Sequence, residues 1–298
     1  MRFTIRWMAA LLLPLLSWSA AQVTVGVDPI AKLFTANPGQ SITQVLNIYN
    51  PNKVAAKIRV IGTLSDMNMS EIGQISYLPA GTVKESLAGW TSFSPSEVLL
   101  GSEDTAQVRY TIQVPADATP GTHWAMLMFE AQDPNPTPGK SLAAMRMRVA
   151  HTVYVNVAPT KKSGEISGIF ENVPSVPNAT YDLGVQYNNT GNVATGVQGR
   201  VEIRDATGTL VSTLTIPLEV SLPGRSLFLK TSWGGPVPKG QYSALIILND
   251  GDKTRDLTGE QVINLPFDLL PFNAPNSAAP ATEPAASVGG APATTGRP

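Results

Sequence analysis

Apolar and polar residues alternate along several segments of this chain, whereas the three-to-four residue spacing of amphipathic helices is almost absent. In the clearest segment, Val108, Tyr110, Ile112 and Val114 are separated by the polar residues of Gln107–Gln113. Successive side chains of a strand point to opposite faces, so this pattern places one face on a core and the other in water. The segment is predicted to be a half-buried β-strand.

A longer segment near the middle of the chain repeats the alternation. Met145, Met147 and Val149 share a phase with Val153 and with the valines that follow it to position 157. This phase predicts one long strand from Met145 to Val157 with a continuous apolar face. That face is expected either to lie in a core or to be presented to a partner.

Turn-forming clusters such as Asn37-Pro38-Gly39 separate the first set of strands, and a second set of about seven begins after Pro159. Many short strands joined by turns predict antiparallel sandwiches. The fold class is therefore predicted to be all-β, with two tandem immunoglobulin-like antiparallel β-sandwiches and a disordered C-terminal tail. The expected ranges are a signal peptide at 1–21, a first sandwich at 22–159, a second sandwich at 160–268, and an Ala/Pro/Thr-rich tail at 269–298.

The first 21 residues have the pattern of a secretory leader. Arg2 and Arg6 precede a short apolar run, and Ser19 and Ala21 place small residues before a cut at Gln22. The run contains Pro14 and is shorter than the roughly 20 residues that a membrane span needs. The mature chain is predicted to lack a transmembrane segment and to be periplasmic, secreted or on the cell surface.

Composition excludes several kinds of function. The formal net charge is −1, so nothing indicates a nucleic-acid partner. The chain contains no cysteine, which excludes disulfides, thiolate metal sites and a cysteine nucleophile. It has only two histidines, His123 and His151, and each is expected to be structural. No catalytic motif is present, so the predictions are no enzyme, no catalytic residue, no cofactor and no metal.

Two segments have weaker patterns of metal-binding residue types. Acidic and polar residues alternate from Asp66 to Ser70, but Gly73 comes too late for a calcium loop. Methionines are concentrated in the first predicted sandwich and are expected to fill its core, although thioethers also suit cuprous copper.

Several segments resemble known envelope proteins. The stretch from Asp28 to Asn50, with Pro38-Gly39-Gln40 ahead of an alternating strand, resembles the opening of PapD-like pilus-chaperone domains. The stretch from Trp90 to Pro95, together with the strand at 107–114 and the Val114–Ala118 turn, is similar to bacterial WxL-protein-interacting, peptidoglycan-binding-like proteins. These resemblances cover most of residues 25–266, and they imply tandem immunoglobulin-like domains.

The chaperone resemblance implies specific roles for some residues. Pilus chaperones lend alternating apolar residues of one strand to a subunit by β-strand addition, and Met145, Met147 and Val149 occupy matching positions. Those chaperones also bind the C-terminal carboxylate of the subunit with an arginine and a lysine. Lys32 matches the first of these, whereas Tyr154 stands where the lysine belongs.

The predicted function is that of an exported, non-catalytic bacterial envelope protein. It is expected to bind envelope or pilus-like proteins, or wall polymer, in a scaffold, adhesion or chaperone-like role. The alternative is a carbohydrate- or peptidoglycan-binding accessory module, which requires an exposed aromatic platform. Trp90, Trp124 and Trp233 are the mature tryptophans. Trp124 is expected to lie in the core, whereas Trp90 follows a turn, a position compatible with exposure.

Overall fold

A computed structural model describes residues 24–53, 57–134 and 147–271 of the 298-residue chain. The described residues form strands and one short 3-10 helix at Ala88–Trp90. The strands, in chain order, are β1 Gly26–Asp28, β2 Ala31–Ala36, β3 Ser41–Tyr49, β4 Ile58–Met69, β5 Ile75–Pro79, β6 Thr91–Ser94, β7 Glu97–Leu100, β8 Thr105–Gln113, β9 Gly121–Gln132, β10 Met147–Val157, β11 Gly164–Asn172, β12 Tyr181–Asn189, β13 Thr195–Asp205, β14 Leu210–Ser221, β15 Ser226–Trp233, β16 Gly240–Asn249 and β17 Leu257–Leu265.

The chain consists of two compact units. The first contains the described parts of Met1–Glu165 with Tyr187–Gly196 and Glu219–Leu227, and the second contains those of Ile166–Gln186, Val197–Leu218 and Phe228–Pro298. The sheets are mainly antiparallel, and the prediction of an all-β fold with tandem immunoglobulin-like sandwiches is confirmed. The predicted leader and nearly all of the predicted tail lie outside the described residues, as does Met145.

Two sheets face each other in the first unit. One has the strand order β1-β3-β8-β6, and the other has the order β2-β10-β9-β4-β5, with β7 also paired to β4. The predicted apolar face of β8 is buried, because Val108, Tyr110 and Ile112 are fully covered between the sheets. The chain passes from β1, which pairs with β3 in one sheet, to β2, which pairs with β10 in the other. The segment from β1 to β2 therefore contributes an edge strand to each sheet.

The larger sheet is buried on both faces along β9. Leu127 and Phe129 belong to the core between the sheets, whereas Trp124, Met126 and Met128 pack on the opposite face. Met67 is buried in the same second cluster, which confirms that methionine serves as core filler there.

A buried carboxylate holds the segment that runs beside the start of β9. The Asp66 carboxylate accepts hydrogen bonds from the Thr82 and Val83 amides, at 2.6 and 3.0 Å, and from the Ser86 hydroxyl at 2.6 Å. These three hydrogen bonds give the Asp66 carboxylate a structural role. Among the described residues, no group of three or more acidic or histidine side chains is placed to hold a metal ion.

The second unit is built mainly from β11–β17, in a three-stranded sheet with the order β11-β12-β15 and a four-stranded sheet with the order β14-β13-β16-β17. The predicted hairpin between Val201 and Leu210 is present, since β13 ends at Asp205 and β14 begins at Leu210. Near the end of the described residues, Leu269 is buried and exchanges two backbone hydrogen bonds with Val237. Among the described residues, no helix has the length and apolar character needed to span a membrane.

Candidate partner-binding edge

The strand β10 has neighbours on both sides along only part of its length. All of Met147–Val157 pairs antiparallel with β9, but β2 pairs in parallel with Thr152–Val157 alone. Among the described residues, no strand forms a ladder with the other side of Met147–His151. We call this segment the free β10 edge.

The hydrogen bonds to β2 show which backbone groups point to this side. The Thr152 amide donates to Ile30 at 2.9 Å, and the Ala158 amide donates to Ala36 at 3.1 Å. Because backbone groups alternate in direction along a strand, even-numbered residues of β10 face the β2 side. Arg148 and Ala150 therefore present their N–H and C=O groups on the free β10 edge.

A buried histidine marks the point where the pairing with β2 begins. The Nδ1 atom of His151 lies 2.6 Å from the carbonyl oxygen of Pro29, in the crossover from β1 to β2. Its Nε2 atom lies 3.0 Å from the Tyr110 hydroxyl on the facing sheet. Since a carbonyl can only accept, Nδ1 carries the proton and Nε2 accepts from Tyr110. The imidazole therefore connects β10 of one sheet with β8 of the facing sheet and with the crossover between β1 and β2.

Burial determines the protonation of this group. Loss of solvation lowers the pKa of His151, the Pro29 carbonyl partly opposes this, and the positive charge of Lys32 lowers the pKa further. Burial also raises the pKa of Tyr110 to about 12, so its hydroxyl remains a donor. The neutral imidazole is therefore the form that fits its partners.

The apolar side chains of the free β10 edge, Met147, Val149 and Ala150, are half-buried. Val149 packs against the core between the sheets, and Met147 is partly exposed at the start of the strand. On the opposite face, Arg148 forms an ion pair with Glu130 of β9 at 2.6 Å. The edge thus combines unpaired ladder groups with an apolar face that is not fully covered.

Lys32 and Tyr154 lie on opposite faces of the sheet. Lys32 is exposed and aligns with Val153, whose side chain faces the core, whereas Tyr154 aligns with Leu33 and Trp124. Tyr154 packs on the methionine cluster, and burial raises its pKa to about 12. Lys32 therefore has His151, not Tyr154, as its ionisable neighbour from β10. This pairing follows from parallel register, which the sequence alone does not display.

Trp90 is not part of the free β10 edge. Its ring packs against His123, with 4.4 Å between the ring centroids, and it also contacts the core. His123 aligns with Val155, which lies about 20 Å along β10 from Val149 at the usual strand rise. Trp90 is half-buried, because the 3-10 helix at Ala88–Trp90 places its ring against His123 of β9.

The other two mature tryptophans are buried. Trp124 is 2% exposed and donates its indole N–H to the Met67 carbonyl oxygen, and Trp233 is 3% exposed against Tyr242. Neither offers the aromatic platform that the carbohydrate-binding alternative requires. Trp233 is the last residue of β15, and its ring is buried although two glycines follow it in the chain.

Comparisons with known proteins give likenesses among solved structures alone. No protein-family model matches the chain, and no curated protein matches it. Three of the similar structures contain fimbrial chaperones. One is a chaperone–tip adhesin complex of CFA/I fimbriae biogenesis, with 14% identity, 80% of this chain and 98% of that chain covered, and a TM-score of 0.44. Another is the Salmonella enterica SafB chaperone with the SafA pilin, at 14% identity, 81% and 98% coverage, and a TM-score of 0.41. A third is the Acinetobacter baumannii CsuC–CsuE chaperone–adhesion subunit complex, at 10% identity, 80% and 98% coverage, and a TM-score of 0.42.

With TM-scores of 0.41 to 0.44, these likenesses concern the fold alone. The PapD-like and WxL-protein-interacting resemblances both rest on the sequence motifs. At identities of 10% to 14%, what those chaperones bind stays a property of those chaperones.

Proposed function

We propose that this chain is a non-catalytic, exported envelope protein that holds an extended segment of a partner protein by β-strand addition. The observation that carries the proposal is the free β10 edge, where Arg148 and Ala150 present ladder groups beside a half-covered apolar face. A strand edge of this kind is a template for another chain's strand.

The partner strand would continue the line of β2. It would occupy the space beside Met147–His151 and meet the crossover at Pro29, where β2 begins. Hydrogen bonds to Arg148 and Ala150 would provide affinity without sequence preference, and the apolar residues of the partner would contact Met147 and Val149. Each ladder bond contributes about 0.5–1.5 kcal/mol net, so apolar contacts must supply much of the affinity.

Lys32 is proposed as the charged residue at the end of this site. It is exposed, and it lies on the same face of the sheet as Val153. A carboxylate at the end of the partner strand would lie close to the Lys32 ammonium group, at the end of the free β10 edge. The partner class that the sequence resemblance implies is a pilus-type or other envelope subunit, so the finer role we propose is chaperone-like.

The experiment compares a Met147→Asp variant with a matched control. Tagged full-length protein is recovered from its own envelope fraction, and the bound proteins are identified and quantified. Met147→Asp places a charge on the apolar face, so we expect at least about a tenfold loss of bound partner, the equivalent of 1.4 kcal/mol. Leu99→Asp adds the same charge at a 61% exposed site on β7 and should leave the bound partner unchanged.

Circular dichroism and thermal unfolding establish that both variants remain folded. Undiminished partner recovery by folded Met147→Asp would contradict strand addition at this edge. The carbohydrate-binding alternative gains no support, since the described tryptophans are buried or half-buried.

A further inference from the structure

The six-stranded sheet of the first unit has a second edge, on the side of β4 away from β9. Here β7 and β5 pair in succession with β4, through Ile58–Ile61 and Ser65–Met69 respectively. The two parts of this edge differ in charge. Glu97 of β7 forms a two-pronged ion pair with Arg59, whereas β5 contains no charged residue.

Backbone direction shows which groups β5 presents outward. The Ser70 amide donates to the Gln74 carbonyl at 2.9 Å, and the Ser65 hydroxyl donates to the Leu78 carbonyl at 2.7 Å. Even-numbered residues of this strand therefore face β4, and Ile75 and Tyr77 direct their N–H and C=O groups away from the sheet. Among the described residues, no strand pairs with that side of β5.

The side chains of these two residues are also exposed and apolar. Tyr77 is 61% exposed and Ile75 is 43% exposed. Sheet edges are usually protected by charged side chains, prolines, bulges or a covering segment. The only such protective residue in β5 is Pro79, which lies at the end of the strand. The backbone N–H and C=O groups of Ile75 and Tyr77 therefore stay accessible.

We propose that β5 pairs antiparallel with β5 of a second copy of this chain, about a two-fold axis at Ser76. In this register Ile75 lies opposite Tyr77 of the second copy, and each pair exchanges two backbone hydrogen bonds. Both pairs join an aliphatic side chain to an aromatic one, a favourable cross-strand combination. Because β5 contains no charged residue, pairing two copies of the strand brings no like charges together.

The neighbouring two-fold registers are excluded by hydrogen bonding. An axis at Ile75 would set Tyr77 opposite Gly73, but the Gly73 amide already donates to Ser70 at 3.0 Å. An axis at Tyr77 would set Ile75 opposite Pro79, which has no N–H and whose carbonyl already accepts from Thr82. The axis at Ser76 is the one that uses all the outward groups of Ile75 and Tyr77.

A cysteine at the axis provides a direct test, because the natural chain contains none. In the proposed register the two Ser76 residues form a non-hydrogen-bonded pair with about 4.5 Å between Cα atoms, within the range of a disulfide. Under mild oxidation, full-length Ser76→Cys should form covalent dimers at least about ten times faster than Leu99→Cys. Equal rates for the two exposed positions would overturn the proposal.

Sedimentation equilibrium tests the same surface without a cross-link. The paired strands are short, so we expect a weak dimer with a Kd of about 10–1,000 µM, which is populated at high protein concentration. Tyr77→Lys removes the aromatic contact and charges the edge, and it should weaken dimerisation about tenfold. Leu99→Lys should not change it.

Two results would overturn the proposal here as well. One is a wild-type chain that stays monomeric to about 1 mM, and the other is a dimer that Tyr77→Lys leaves intact. Partner recovery through the free β10 edge is a separate readout, so failure of either proposal does not decide the other.

Discussion

Replacing Tyr110 with phenylalanine removes one hydroxyl from the core of the first unit and leaves the ring in place. In the native protein this hydroxyl donates to Nε2 of His151 at 3.0 Å, and both side chains are fully buried. The variant loses the hydrogen bond and leaves a buried acceptor without a donor. A buried polar atom without its partner costs about 1–3 kcal/mol, so we expect the first unit to lose stability by that amount.

Hydrogen–deuterium exchange measures this loss of stability directly in the first unit, which contains Tyr110 and His151. Peptides from β8 and β10 should exchange about 5 to 150 times faster in Tyr110→Phe than in the natural chain, which corresponds to 1–3 kcal/mol. Tyr77→Phe removes the same hydroxyl at an exposed site and should change these rates little. A change below about 0.5 kcal/mol in Tyr110→Phe would refute the pairing with His151.

Three further predictions follow from buried groups. Because burial lowers the pKa of His151 in the folded protein, its contribution to stability is complete above pH 6.5 and is lost as the pH falls from there through the lower folded pKa. In His151→Gln, the part of the acid-induced loss of stability that comes from this histidine should be absent from the pH dependence of unfolding. Asp66→Ala leaves the Ser86 hydroxyl and two amides without their acceptor, so urea unfolding should show a loss of about 3 kcal/mol or more. Gly62→Ala places a methyl group 2.7 Å from the Phe93 ring, and the thermal midpoint should fall by the equivalent of about 1–3 kcal/mol.

Local alternation allowed some elements to be predicted from the sequence. The buried face of β8 follows from its period of two, and the long strand that the alternation predicts at 145–157 corresponds to β10, described at Met147–Val157. In contrast, β9 is apolar on both faces, and the sequence pattern does not say what covers the second face. The packing of Met67 with Met126 is a tertiary property, set by the register of β4 on β9.

The candidate site was predictable only in part. Met147 and Val149 were selected by phase, but phase does not show that β2 covers half of β10 and leaves the other half open. That feature depends on the crossover at Pro29, which is held by a histidine 122 positions later in the chain. The contact of Trp90 with His123 is not predictable from the sequence pattern for a related reason, because it joins residues that are distant in the chain.

Exchange of individual amides on β10 tests the central claim most directly. We expect the Arg148 and Ala150 amides of the free protein to exchange quickly, whereas the Thr152 amide, which donates to the Ile30 carbonyl, should be protected. In the complex with the recovered envelope partner, the Arg148 and Ala150 amides should become protected by at least about tenfold. Protection of both amides in the free protein, or continued fast exchange in the complex, would contradict strand addition at the free β10 edge.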